Sequence, residues 1–182
     1  MIKLEELKFG KIEDNEQLVA SVVYEFLGKY FKNNLDDFKV AEINPEYMDG
    51  ISLFGHYKLE LVKGINCLIC EVIRRDERIL VALLVPTGYR YNMSSTVKKY
   101  FDAKRVSVAP LEEVLNLTKM EYGSITPLGL PDNMPILYDP LVLESENIIC
   151  GSGLQKSKIL FPSKYIAMLP NANELKGLAK VE

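Results

Sequence analysis

Two apolar runs, Ile65 to Ile73 and Ile79 to Pro86, flank the charged pentapeptide Arg74-Arg75-Asp76-Glu77-Arg78. Both are rich in β-branched residues and the break between them is polar, so the pattern predicts a hairpin of two core strands. Whatever else the chain forms has to pack around that hairpin. At 182 residues, with 48% apolar and 26% charged, there is material for one domain with a single buried core. The same composition excludes disordered, collagen-like and low-complexity chains.

The elements around the hairpin follow from period and punctuation. Leu18, Val22, Phe26 and Leu27 give a helical face within Asp14 to Phe31, with Asp14 as its cap and Asn33-Asn34 as its stop. Phe38 to Ile43 alternates as a short strand that Asn44-Pro45 breaks, and Ser52 to Leu61 predicts a short helix capped by Ser52 or Asp49. After the hairpin come a helix at Ser94 to Phe101, a strand at Arg105 to Ala109 and a helix at Leu111 to Thr118, the last with Glu112 and Glu113 in its first turn. Glu121 to Pro135 is an ordered loop punctuated by Gly123, Pro127 and Gly129-Leu130-Pro131. Strands at Ile136 to Asp139, Asn147 to Cys150 and Lys158 to Leu160, a Gly151-Ser152-Gly153 turn and a helix from Pro162 to Leu169 follow. No repeat and no domain boundary divides residues 1–182. The irregular interleaving of strands and helices favours a mixed α/β sheet over a doubly wound parallel one.

The net charge of −3, from 22 basic and 25 acidic residues, excludes a generally basic nucleic-acid binder and leaves only a local patch. The longest uncharged apolar run, Ile79 to Gly88, is about half of what a membrane-spanning helix needs. Glu5 and Glu6 fall where a secretion signal is apolar; the expectation is a cytoplasmic protein without membrane contact. Three cysteines, Cys67, Cys70 and Cys150, make no disulfide framework. Cys67 and Cys70 have the spacing of a redox pair or half a zinc site, but they lie within a strand-like run, and buried apolar thiols are the expectation rather than a metal site. His56 is the sole histidine. Without a Gly-x-Ser-x-Gly elbow or a Cys-Gly motif it has no nucleophile to serve, so a packing or surface role is expected, with a substrate-facing one left open. Neither Gly-x-x-x-x-Gly-Lys nor Gly-x-Gly-x-x-Gly occurs, and no cofactor is implied.

One segment promises more than structure. Glu121-Tyr122-Gly123-Ser124-Ile125-Thr126-Pro127-Leu128-Gly129-Leu130-Pro131 would hold backbone amides at fixed angles, and Gly123 would let a ligand approach the main chain. Gly123 to Pro127 fits a Gly-x-x-x-Pro loop. Around it stand, in order, a hairpin ending in Val85-Pro86, a helix, Ala103 to Ala109, Glu112 to Thr118, a strand ending in Asp139, and a Gly-x-Gly turn at Gly151 and Gly153. In this order, over Ile79 to Lys158, the chain resembles the YbaK and prolyl-tRNA editing-domain family.

The resemblance implies a single-domain α/β fold with a mixed, mostly antiparallel, partly barrel-like sheet flanked by helices, its core over about residues 38–170. It implies a trans-editing deacylase, a hydrolase that cleaves the ester between a wrong amino acid and the 3′ end of tRNA. Gly123, Thr126, Gly151 and Gly153 are the implied catalytic positions, and Asn66, Cys67, Ser124, Ile125, Pro127, Asp139 and Ser152 the implied substrate-binding ones. The implied partners are the aminoacyl-tRNA 3′ end and, beside it, an aminoacyl-tRNA synthetase. Deacylases of that family carry a lysine on the first hairpin strand, where this chain reads Ile65-Asn66-Cys67-Leu68-Ile69-Cys70, with Lys63 before the strand. A module that binds an aminoacyl-tRNA or nucleotide end without turnover therefore stands as the alternative. Lys156 and Lys158 directly follow the glycine turn and are expected to contact tRNA phosphates, as a pair replaceable by glutamate with the fold intact.

Overall fold

The computed structural model describes residues 4–59 and 63–181. Among them nine strands form the main sheet: β1 Gly10–Lys11, β2 Lys39–Glu42, β3 Lys63–Arg74, β4 Glu77–Pro86, β5 Arg105–Val108, β6 Ile136–Tyr138, β7 Asn147–Gly151, β8 Ser157–Pro162 and β9 Ala172–Glu174. The expected hairpin is its centre. β3 and β4 pair antiparallel from Ile65–Pro86 out to Arg74–Glu77, turning on Arg75 and Asp76 with Arg75 at φ +51°, the left-handed conformation that a two-residue hairpin turn asks for. Across the sheet the order is β9-β6-β4-β3-β7-β8-β2-β1. Pairing is parallel for β9–β6, β6–β4 and β3–β7 and antiparallel for the other neighbours, so the sheet is mixed, as the pattern of elements implies.

The uninterrupted apolar run of β4 has a simple cause. Ala82 and Leu84 face a cluster that includes Val23 and Leu27 of helix α1 (Ser21–Tyr30), while Val81, Leu83 and Val85 face a second cluster with Val72, Leu137 and Leu178. A strand covered on both faces has no solvent side to make polar, and each of its fully buried large side chains stabilises the fold by about 1.5–3 kcal/mol.

β3 is the element that positions the site. One of its edges is filled by β4; the other is shared. Lys63 and Gly64 pair with β7, residues 70–73 pair with β5, and between these two contacts the partner strands diverge. The sheet forks there.

Several helices differ from expectation, each for a local reason. α1 starts at Ser21 rather than Asp14, because the Ala20 amide donates to the Ser152 carbonyl (3.0 Å) and holds the chain extended at Ala20. Glu16–Leu18 is a separate 3-10 turn, and another 3-10 stretch, Lys32–Asp37, follows α1. Helix α2 covers only Gly50–His56; Asp49 caps it by accepting from the Ile51 and Ser52 amides, and Tyr57–Lys58 then pairs with Glu5–Glu6 as strand. Leu61, the expected end of that helix, lies outside the described residues. Ser94 to Phe101 is a wide π turn, Met93–Val97, followed by one helical turn. Asn92 and Thr96 tie this segment to the carbonyls of Leu178 and Gly177. Pro162 to Leu169 is a 3-10 helix over Ser163–Met168. Helix α3, Leu111–Thr118, matches its expected bounds. No helix among the described residues is long and apolar enough to cross a membrane.

Candidate functional site

A cavity of about 830 Å³ opens in the fork of the sheet. Its walls are β3 from Ile65 to Ile69, the end of β5, the start of α3, the segments Met48 to Ile51 and Gly88 to Arg90, the loop residues Tyr122, Gly123 and Ile125, Gly151 with Lys158, and Val181.

The two glycine segments meet at this cavity, in a short ladder. The Glu121 amide donates to the Gly153 carbonyl (2.8 Å) and the Gly153 amide to the Ser124 carbonyl (2.9 Å), while the Gln155 side chain donates to the Tyr122 carbonyl (2.9 Å). A Cβ on Gly151 would stand 2.6 Å from the Ser124 carbonyl oxygen, so the loop lies directly on a residue that only glycine can supply. Gly123, at φ +77°, has the Met48 side chain against it. Among the described residues neither the Gly123 amide nor the Ile125 amide has a hydrogen-bond acceptor.

Of the residues expected at the site, Gly123, Ile125, Gly151, Asn66, Cys67 and Lys158 line the cavity. Asn66 accepts from the Thr87 hydroxyl (3.3 Å) through its carbonyl oxygen, which leaves its amide donors for a ligand. The others face inward. Thr126 is fully buried, with its hydroxyl against the Cys150 sulfur at 3.3 Å. Ser152 is bonded to the Ser157 hydroxyl (2.6 Å) and accepts from the Leu154 amide (3.1 Å). Asp139 caps the turn after β6 by accepting from the Leu141 amide (3.0 Å), and it also takes the Ala179 amide (2.8 Å). Gly153 spends its amide on Ser124. Ser124, buried, and Pro127 do not line the cavity either, and the Ser124 hydroxyl has no partner among the described residues. These residues build the loop from behind rather than touch what it holds.

Cys67 and Cys70 are separated by an odd number of positions on one strand, which sends their side chains to opposite faces of the sheet. Cys67 packs with the α1 cluster and Cys70 with the other, so no bond or metal can join them. Burial pushes the Cys70 thiol up to about 12 and that of Cys150 to about 11, and raises Cys67 as well; all three are neutral thiols, not nucleophiles, at neutral pH. His56 stacks on Tyr47 (ring centroids 3.7 Å apart) with Glu5 at 3.4 Å, outside the cavity wall. Lys63 heads β3 and is held by Glu144 at 2.8 Å.

The two lysines after the turn part company. Lys156 is exposed, whereas Lys158, on β8, is 7% exposed and sits in the cavity wall. Its burial lowers its pKa, with Cys150 and Asp49 acting in the opposite sense. The expectation that both accept glutamate harmlessly therefore fails for Lys158. Nothing in the sequence marks Met48 to Ile51 as part of a site. Its one local signal, Asp49 three residues before Ser52, announces a helix start and says nothing of what that start will face.

The family model of the aminoacyl-tRNA editing domain matches residues 55–166. The chain belongs to that family. The proline–tRNA ligase of Bacillus cytotoxicus is 28% identical over 114 residues, which is 63% of this chain and 19% of the ligase. That of Streptococcus pneumoniae (strain Hungary19A-6) is 32% identical over 77 residues, 42% of this chain and 12% of the ligase. The chain thus spans under a fifth of the length of these curated relatives. Among solved structures, a protein proposed to be a trans-editing enzyme for prolyl tRNA synthetase superposes with a TM-score of 0.68 at 16% identity, covering 90% of this chain and 99% of that one. A scaffold for computationally grafted epitopes gives 0.71 at 15%, over 90% and 100%. At such identities the likeness is one of fold. In this editing domain the family match takes in the forked strands and both glycine segments, while Met48 to Ile51 precedes it.

Proposed function

We propose that this editing domain hydrolyses the ester of a mischarged aminoacyl-tRNA in trans. The observation that carries this reading is the pair of unbonded amides, Gly123 and Ile125, at a cavity whose thiols are neutral and whose wall holds no histidine. An aminoacyl ester is labile enough that a held water and a polarised carbonyl suffice. The loop amides donate to the carbonyl oxygen, where negative charge grows as water adds; one such donor is worth about 2.7–4 kcal/mol of barrier where it has been removed from other enzymes. The bond from the carbonyl carbon to the ribose oxygen then breaks, the ribose oxygen takes a proton, and a free amino acid leaves. Holding water and ester together supplies the rest. Asn66 hydrogen-bonds the substrate through its amide, and Cys67 sets the shape of the wall beside it. Thr126, Ser152 and Gly153 act as positioning residues, and Lys156 meets the tRNA backbone from the surface.

Purified protein incubated with a panel of mischarged tRNAs is the test: at least one is expected to lose its amino acid faster than spontaneously. Hydrolysis at the spontaneous rate on every tRNA would sink the enzyme. The absence of any lysine between Ile65 and Cys70 on β3 favours a second reading, a module that binds the aminoacyl end without cleaving it; saturable binding of those tRNAs with no turnover is its signature.

A further inference from the structure

Lys158 is the anomaly of the cavity. It lies on β8 opposite Gly151 of β7 and Ala41 of β2, 93% removed from solvent by its 7% exposure, and it lines the cavity. Among the described residues its ammonium has neither an ion pair nor a hydrogen bond. Asp49 is the charged neighbour, but its carboxylate is committed to the start of α2, accepting from the Ile51 and Ser52 amides (3.1 Å each) and from the Ser52 hydroxyl. Cys150, also near, is a neutral thiol. An unpaired ammonium out of water is costly, and proteins resolve that cost with a counterion or a lost proton. Asp49 acts on the ammonium only from a distance, with no carboxylate oxygen within 4.0 Å of it among the described residues, and Lys158 borders the cavity.

We infer that Lys158 is the anion-binding group of this cavity, and that the ligand presents an oxyanion, a phosphate or a carboxylate, at the Gly151 end while its neutral part lies along β3. The inference deepens the editing reading and rests on it only for the source of that oxyanion. A nucleotide end offers its phosphodiester; an aminoacyl group with an acidic side chain offers a carboxylate. The role differs from that of a surface lysine on tRNA, because a desolvated cation discriminates between charged and neutral ligands far more sharply than an exposed one.

The test is a titration of the full chain, followed by NMR, with four probes: adenosine 5′-monophosphate against adenosine, and 3′-aspartylamino-3′-deoxyadenosine against its alanyl counterpart. The wild type is expected to prefer one anionic probe over its neutral partner by about tenfold, or roughly 1.4 kcal/mol; preference within the first pair assigns the oxyanion to phosphate, within the second to carboxylate. K158M should reduce that preference to within about twofold and K158R should keep most of it. Thermal melting guards against misfolding: K158M is expected to melt at or above the wild-type temperature, since it removes a buried charge without orphaning a partner. If the wild type shows no preference in either pair, including by binding none of the probes, or if the preference survives in K158M, the inference falls. A wild type that prefers an anionic probe yet cleaves no mischarged tRNA would sink the deacylase alone.

Discussion

The two ends of the β3–β4 hairpin treat charge in opposite ways. At the turn end, Glu71 on β3 accepts from the Ser107 hydroxyl (2.8 Å), Arg78 Nε (2.9 Å) and Arg105 (3.2 Å), and Arg78 also grips Glu113 through two bonds of 2.8 and 2.7 Å. The Ser107 hydroxyl and then Arg78 hold the Glu71 carboxyl below its usual range, and Arg78 does the same for Glu113. Glu71, Arg74, Glu77, Arg78, Arg105 and Glu113 are all paired there, in a place where water would have solvated most of them cheaply. At the fork end one cation is buried with no such partner. Isolation of a buried cation costs stability, and that cost at the fork end is what the proposed anion would offset.

Substitutions can break that contrast. The largest effect is expected from Lys158→Glu, which buries a carboxylate near Asp49 and should cost about 3–5 kcal/mol, whereas Lys156→Glu should leave the melting temperature unchanged and only weaken tRNA association, lowering the salt slope by about 0.9; equal melting curves for the two would erase the distinction drawn between them. Next comes Gly151→Ala. Its Cβ would displace the Ser124 carbonyl, moving Gly123 and Ile125, so deacylation should fall by about 100-fold or more, equivalent to about 2.7 kcal/mol; full activity in this variant would separate the loop from the chemistry.

A smaller effect sharpens the comparison through pH. The folded state lowers the pKa of Lys158, so between the folded and unfolded values the unfolded chain binds more protons and wild-type stability rises with pH. Lys158→Met lacks that slope. Its melting advantage should be greatest below the folded pKa and shrink as pH approaches about 10.4, the ordinary lysine value. The smallest effect belongs to the turn end. Arg78→Met should lower the melting temperature slightly with deacylation intact, and the deficit should fade with salt and with acid. The sign follows from the depressed carboxyls of Glu71 and Glu113: the stability they contribute is complete above the unfolded glutamate value of about 4.3 and is lost as pH falls through their folded values.

How much of this was legible in the sequence depends on the range of the interaction concerned. The hairpin and α3 are written locally, in apolar runs and a capped helical period, and they fall where the sequence puts them. α1 is shortened by a bond from Ala20 to Ser152, residues far apart in the chain, and no window of sequence contains that information. The order of the glycine segments correctly implied that they meet, but not which of their groups would be consumed in meeting: Gly153 gives its amide to Ser124, and Thr126 turns into the core. Lys158 had a signal. It shares the strand period with Leu160, which is partly buried against the cluster under α2, so the inward side of β8 also takes in the lysine.

The fork itself has a consequence for solubility. A strand edge without a neighbour is ordinarily a hazard, since its main-chain groups can recruit another chain. β3 carries such an edge from Ile65 to Leu68, the Ile69 carbonyl already accepting from the Ala109 amide (3.1 Å), yet it lies in the interior of the sheet, with β7 and β5 as jambs on either side. The gap is bounded at both ends by paired strands and opens onto a cavity of about 830 Å³. The domain thus keeps main-chain hydrogen-bonding capacity open to a ligand while denying it to other copies of itself.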